Sequence, residues 1–258
     1  MLADQLSNGG FKDVPLEVLS WNYRKTLVVE QIKELKSDII CIEENDKHEE
    51  LCIEFPEYHS SFYGKEGKKK GQKRDGTSIF YDKSKFEQVE VRNVRECNGI
   101  LLKLRVKESG KENVLLTLAA VHLKAKLGNE KVRKKQVEKL KSELKKFSLG
   151  TFLFICGDFN DVPHSLALNS VKEIPNMQSA YKSYSLFGGD KTGLEGGEPY
   201  TTFKERTSVV KICIDYIFFD ETAFDLLALL EIPDLQEPLP NKSYPSDHLA
   251  ISAIFQYK

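Results

Sequence analysis

Short apolar runs punctuated by polar residues recur along most of the chain. Leu16–Trp21, Asp38–Ile42, Thr77–Tyr81, Ile100–Val106, Val114–Val121, Phe152–Cys156, Ile212–Phe219 and Leu249–Phe255 are too short for helices and predict strands. Thr26–Lys36 carries Leu27, Val28, Ile32 and Leu35 at helical spacing, with Thr26 placed to cap a helix. Glu130–Phe147 predicts the clearest helix. Val132, Val137, Leu140, Leu144 and Phe147 form one stripe, and Lys and Arg dominate the rest. Lys65–Arg74 is basic and glycine-rich and reads as a loop. Strands outnumber helices and the helices are dispersed, so the order fits an α/β sandwich: two sheets packed face to face with helices outside. No repeat or linker divides the chain. Residues 1–15 read as an extension and 16–258 as a single domain.

Composition narrows the classes. The 258 residues hold 38 Lys and Arg against 39 Asp and Glu, a formal net charge of −1, so binding of nucleic acid by bulk positive charge is excluded. With 40% apolar residues a full core is affordable. No apolar run is long enough to cross a bilayer, and the first ten residues lack the pattern of a secretory signal. Cys41, Cys52, Cys97, Cys156 and Cys213 are odd in number and never spaced as CxxC. They read as buried thiols of a reducing compartment, which predicts a cytoplasmic protein without a membrane partner. A mitochondrial address is the alternative if a targeting segment precedes this sequence.

Polar residues of a different kind gather where the predicted strands end. Asn22 follows the first; Glu43, Glu44 and Asp46 follow the second; His122 closes Val114–Val121. Asp158, Asn160 and Asp161 follow Phe152–Cys156, Asp215 lies in Ile212–Phe219, and Asp247 and His248 precede the last strand. Carboxylates, amides and imidazoles converging on one sandwich edge suit a hard divalent cation and a phosphate.

The ordered strings SWN (20–22), IICIEEND (39–46), DGTSIFY (75–81), VHLKAK (121–126), CGDFND (156–161), IDYIFF (214–219) and YPSDHLAI (244–251) resemble the endonuclease/exonuclease/phosphatase superfamily. Within it, GNEKVRKKQ after HLKAK, SAYKSYS (179–185), EPYTTFKERTS (198–208) and LPNKSYPSDHL (239–249) are similar to the nocturnin and deadenylase-like branch. The resemblance implies a four-layer αββα sandwich and a phosphoesterase using one or two Mg²⁺ ions, with Mn²⁺ as a substitute. It implies that Glu44 ligates the metal with Asn22 beside it, and that Asp247 completes the metal and imidazole shell. Asp158 would activate water, Asn160 and His122 would contact phosphate oxygens, and His248, oriented by Asp215, would meet the phosphoryl group. A carboxylate near a metal can activate water, and a carboxylate behind a histidine fixes its tautomer.

Two departures stand out. The family usually has Gln where this chain has Glu43, and the segment after Asn22 is short. For substrate, the resemblance implies the 2′-phosphate of NADP(H), giving NAD(H) and phosphate, held by Lys65, Lys124 and Lys126. The alternatives are 3′-exonucleolytic removal of adenylates from RNA and a catalytically inactive binding module. Tyr200 and Phe203 would stack on an adenine or else belong to the core. The expected partner is thus a dinucleotide or an RNA 3′ end, and the expected state a monomer.

Overall fold

A computed structural model of the chain describes residues 1–7, 10–65, 75–111, 113–189 and 197–258. The basic stretch 66–74 lies outside them, so only Lys65 of that predicted loop is placed. The chain opens with α1 (Asp4–Ser7), α2 (Leu16–Leu19) and α3 (Trp21–Leu35). Next come β1 (Ile39–Asn45), α4 (His48–Glu54), β2 (Tyr58–Gly64), β3 (Gly76–Asp82), β4 (Phe86–Val94), β5 (Gly99–Val106) and β6 (Leu115–His122). The second half holds α5 (Glu130–Phe147), β7 (Phe152–Asp158), α6 (Leu166–Lys172), β8 (Met177–Ser179), β9 (Thr202–Glu205), β10 (Val209–Ile212), β11 (Asp215–Asp220), β12 (Phe224–Leu229) and β13 (Ala253–Tyr257).

Among the described residues, a six-stranded sheet runs β4-β5-β6-β7-β11-β8 and a three-stranded sheet runs β1-β3-β2. The pairs β9–β10 and β12–β13 complete the strands. Strand alternation divides the core into layers. Ile100, Leu102 and Leu104 of β5 and Leu116, Leu118 and Ala120 of β6 meet Ile79 and Tyr81 of β3 between the sheets. The odd neighbours Leu101, Ala119 and Val121 face the other way, onto Val137, Leu140, Leu144 and Phe147 of α5 and Ala167, Leu168 and Val171 of α6. On the far side, Ile42 and Phe80 are covered by Val28 and Val29 of α3 and Leu51 of α4. The result is the four-layer αββα sandwich. No helix among the described residues is long and apolar enough to cross a membrane.

Several expectations are corrected. Leu16–Trp21 is not a strand. Val18 and Leu19 are buried while Leu16 is exposed, a helical and not an alternating pattern. Ser20 ends that turn and caps α3 by accepting from Tyr23 N at 3.3 Å. The helix therefore starts well before Thr26. Residues 1–15 pack on the helical layer: Leu2 and Phe11 are buried with Leu19, and the buried Arg24 guanidinium donates to Leu2 O at 2.8 Å and Leu19 O at 2.9 Å. The α5 helix has the predicted bounds but a different inner face. Val132 is 43% exposed, while Arg133 and Gln136 are buried. Ile212–Phe219 also divides into β10 and β11, and the last strand begins only at Ala253.

Candidate active site

Three adjacent strands align three of the chemical residues. β6 and β7 are parallel with His122 opposite Asp158, and β7 and β11 are antiparallel with Asp158 opposite Asp215. Directly paired residues project to the same face, so the three side chains form a row. The end of β1 brings Glu43 and Glu44 from the other sheet. There the pairing with β3 slips between Ile42 and Asn45, and Glu44 takes a positive φ of 55°. A bulge of this kind re-aims a side chain at a strand end. Asp247 and His248 arrive on the segment before β13, where His248 bridges Thr202.

Gly157 makes the convergence of the two sheets sterically possible. Its φ is 132°, and a Cβ there would lie 2.0 Å from Val121 O and 2.9 Å from Glu43 Oε1. Only glycine allows so close an approach.

Hydrogen bonds hold the row in place. His248 Nδ1 lies 2.9 Å from Asp215 Oδ2, which also accepts from Thr201 Oγ1 at 2.5 Å. The Thr201 hydroxyl in turn accepts from the Ile214 and Asp215 N–H groups, at 3.1 Å each. Thr201 is thus a member of the site that its residue type did not betray. Asp158 Oδ1 accepts from Asn160 N at 2.7 Å, and its Oδ2 from Asn160 Nδ2 at 3.0 Å. Asn160 Nδ2 also reaches Leu123 O at 3.2 Å, so this amide orients Asp158. His122 Nε2 lies 3.7 Å from Asp158 Oδ2 and 4.0 Å from Glu44 Oε1. Its Nδ1 is 3.4 Å from Lys65 Nζ, and Lys65 pairs with buried Asp75.

The charges are unequal. Burial, reinforced by Asp215, raises the Asp158 carboxyl to about 7, and burial likewise raises Glu43 to about 7. Burial opposes a charge on His248, but Asp215, Asp247 and Asp158 together outweigh it and lift the imidazole to about 9. Burial and then Lys65 push His122 well down, so that ring is neutral. For Asp247, burial is outweighed by His248 and Lys204, and the carboxyl falls to about 2.

A divalent cation fits this donor set. Asp158 and Asp215 each offer a carboxylate oxygen within 4.8 Å of the other and of a His248 ring nitrogen, and buried Glu43 Oε1 has no hydrogen-bond partner. Oxygen-rich donors of this kind suit Mg²⁺ or Mn²⁺. The remaining expected residues fall differently. The Asp247 carboxylate faces Lys204 at 2.9 Å and Arg206 at 3.6 Å instead of standing open. Asn22 is exposed in the first turn of α3 and not at a strand end, because that segment is helical. Lys124 and Lys126 are exposed just past His122. Tyr200 is buried, its hydroxyl donating to Pro233 O and accepting from Leu235 N at 3.0 Å, so it is a core post and not a platform for a base. Phe203 is half-buried and meets the Tyr200 ring edge-on at 6.4 Å.

Residues 7–248 match the Endonuclease/Exonuclease/phosphatase family. The chain belongs to this family. Human Nocturnin is 29% identical over 283 residues, an alignment that takes in 100% of this chain and 64% of that protein. The chain therefore spans just under two thirds of the length of that relative. The human Nocturnin catalytic domain with bound sulfate superposes with a TM-score of 0.76 at 27% identity, covering 93% of this chain and 88% of that one. ANGEL2, a 2′,3′-cyclic phosphatase in complex with adenosine-2′,3′-vanadate, shares the fold with a TM-score of 0.81 at 22% identity, covering 98% and 92%. In this member of the endonuclease/exonuclease/phosphatase family, GDFN lies at the end of β7 in the row, and SDH lies on the segment that brings His248 to Asp215.

Proposed function

We propose that the chain is a divalent-cation-dependent phosphoester hydrolase that removes the 2′-phosphate of NADP(H), giving NAD(H) and phosphate. The observation that carries the hydrolytic reading is the Asp158–Asp215–His248 group, one carboxyl raised and one imidazole charged at neutral pH. Asp158 accepts the proton of the attacking water, held in position by Asn160. The His248 imidazolium, fixed by Asp215 and Thr201, donates to a phosphoryl oxygen and neutralises charge as it develops. His122, neutral and backed by Lys65, lines the same edge. A bound Mg²⁺ supplies Lewis-acid polarisation of the phosphoryl group. Lys124 and Lys126 follow His122 closely and are exposed, and Lys65 stands beside His122, so positive charge near the site supports a substrate bearing more than one phosphate.

The test is phosphate release from NADP⁺ with Mg²⁺, beside shortening of a 3′-oligo(A) RNA. Asp158→Asn is expected to lower the rate at least about 100-fold, the usual scale of a lost general base. RNA shortening without phosphate release would replace NADP(H) by RNA as the substrate. Release that survives Asp158→Asn would overturn the role of the carboxylate.

A further inference from the structure

We infer that Arg133 and Gln136 of α5 are positioning residues, which set the loop carrying Lys124 and Lys126 against the Asp158 end of β7. Both lie on the helix face that turns inward while Val132 turns outward. Burying a guanidinium is costly unless it is paired and fully hydrogen-bonded. Here it is. Arg133 Nη1 donates to Lys124 O at 3.1 Å and to Lys126 O at 3.0 Å. Its other edge faces Asp161, with Nε 2.9 Å from Oδ2 and Nη2 3.3 Å from Oδ1. One turn on, Gln136 Oε1 accepts from Lys124 N at 2.9 Å, while its amide donates to Glu96 O.

These contacts close a circuit around the site. Asp161 follows Asn160, whose amide bonds both Asp158 and Leu123 O. Tyr216 O–H donates to Asp161 O at 3.0 Å and ties the circuit to β11. Lys126 is held at a φ of 78°, uncommon for a residue with a side chain, and needs such surroundings to persist there. Arg133 is neutralised by Asp161, so it lends no charge to a substrate and acts through the loop. A planar fork serving two carbonyls and a carboxylate is geometry that lysine cannot reproduce.

The inference rests on the proposal that Lys124 and Lys126 meet substrate phosphates. Its test is a double-mutant cycle of Arg133→Met with the pair Lys124→Ala and Lys126→Ala, read on whichever of NADP⁺ and oligo(A) RNA is hydrolysed. Arg133→Met is expected to raise KM about 10-fold with kcat within about 3-fold, a loss of uniform binding. Once both lysines are gone it is expected to add less than about 2-fold, because coupled residues are non-additive. Additive effects, or a loss confined to kcat, would overturn the positioning role and leave the lysines in place. A lysine pair with unchanged KM would overturn both readings. Should Arg133→Met fail to fold, Gln136→Met keeps the ion pair and removes the clasp on Lys124 together with the bond to Glu96 O, and the same cycle is run with it. Hydrogen exchange adds a substrate-free arm: the Lys124 amide is expected to exchange faster in Gln136→Met while β6 and β7 are unchanged. Unchanged protection of Lys124 would also overturn the inference.

Discussion

Asp158, Glu43 and His248 give the cation-free protein a definite response to pH. In the folded chain the two carboxyls keep their protons to about pH 7, against ordinary values of 3.8 and 4.5. Unfolding in that window releases protons, so rising pH favours the unfolded chain. His248 works in the same direction over a higher range. Its charge stabilises the fold fully below 6.5, and that contribution is lost as the pH passes about 9. Thermal melts in the presence of a chelator are expected to fall by several degrees between pH 4.5 and 7, and further toward 9. Mg²⁺ should remove the first part of that fall, because it partners the ionised carboxylates, and Asp158→Asn should make it shallower, with Glu43 supplying the remainder. A level profile for the unaltered chain would contradict the burial of these groups. Most of the row was readable in the sequence, because Asp158, Asp215 and His248 sit in or beside short apolar runs whose ends are plain. Thr201 was not, since a threonine in TTF carries no mark of the carboxylate it faces. Tyr200 was read from its ring alone, and only the hydroxyl bonds to Pro233 and Leu235 show that it belongs to the core.

At the level of elements, β7 bears the tightest constraint. Gly157→Ala forces a Cβ against Val121 O, backbone that cannot move without disturbing the β6–β7 ladder. The variant is expected to lose about 1–3 kcal/mol of stability, the scale of an overpacked core, and nearly all activity. Equilibrium denaturation and a rate assay would show it, and a variant as stable and active as the parent would refute the tight approach. The elements that the sequence revealed are those with one unmistakable pattern: the continuous apolar runs of β6 and β7 and the stripe of α5. β4 was hidden because it is an edge strand, with Val89 and Val91 exposed among charged residues. β2 lies at the edge of its own sheet and was equally silent. Leu16–Trp21 misled for the opposite reason. It is as apolar as a strand, but Val18 and Leu19 are buried side by side and the Leu19 carbonyl is served by Arg24.

Across the whole molecule, the site is assembled from Glu44 near one end of the sequence to His248 near the other, and from both sheets. Every strand with a residue in the row places that residue at the same edge of the sandwich. The opposite edge holds the turns at Asp82–Lys85, Glu108–Lys111 and Ser148–Thr151, and also Lys258, whose N–H bonds Ala223 O. The molecule therefore has a working end and a handling end. A short flexible peptide or a surface anchor inserted between Ser109 and Gly110 would leave the reaction within about 2-fold of the free protein, since exposed loop tips far from a site tolerate insertion. The same peptide placed between Ala125 and Lys126 would abolish it. Immobilised by that back edge, many copies would present their openings in one direction, away from the support and toward whatever flows past.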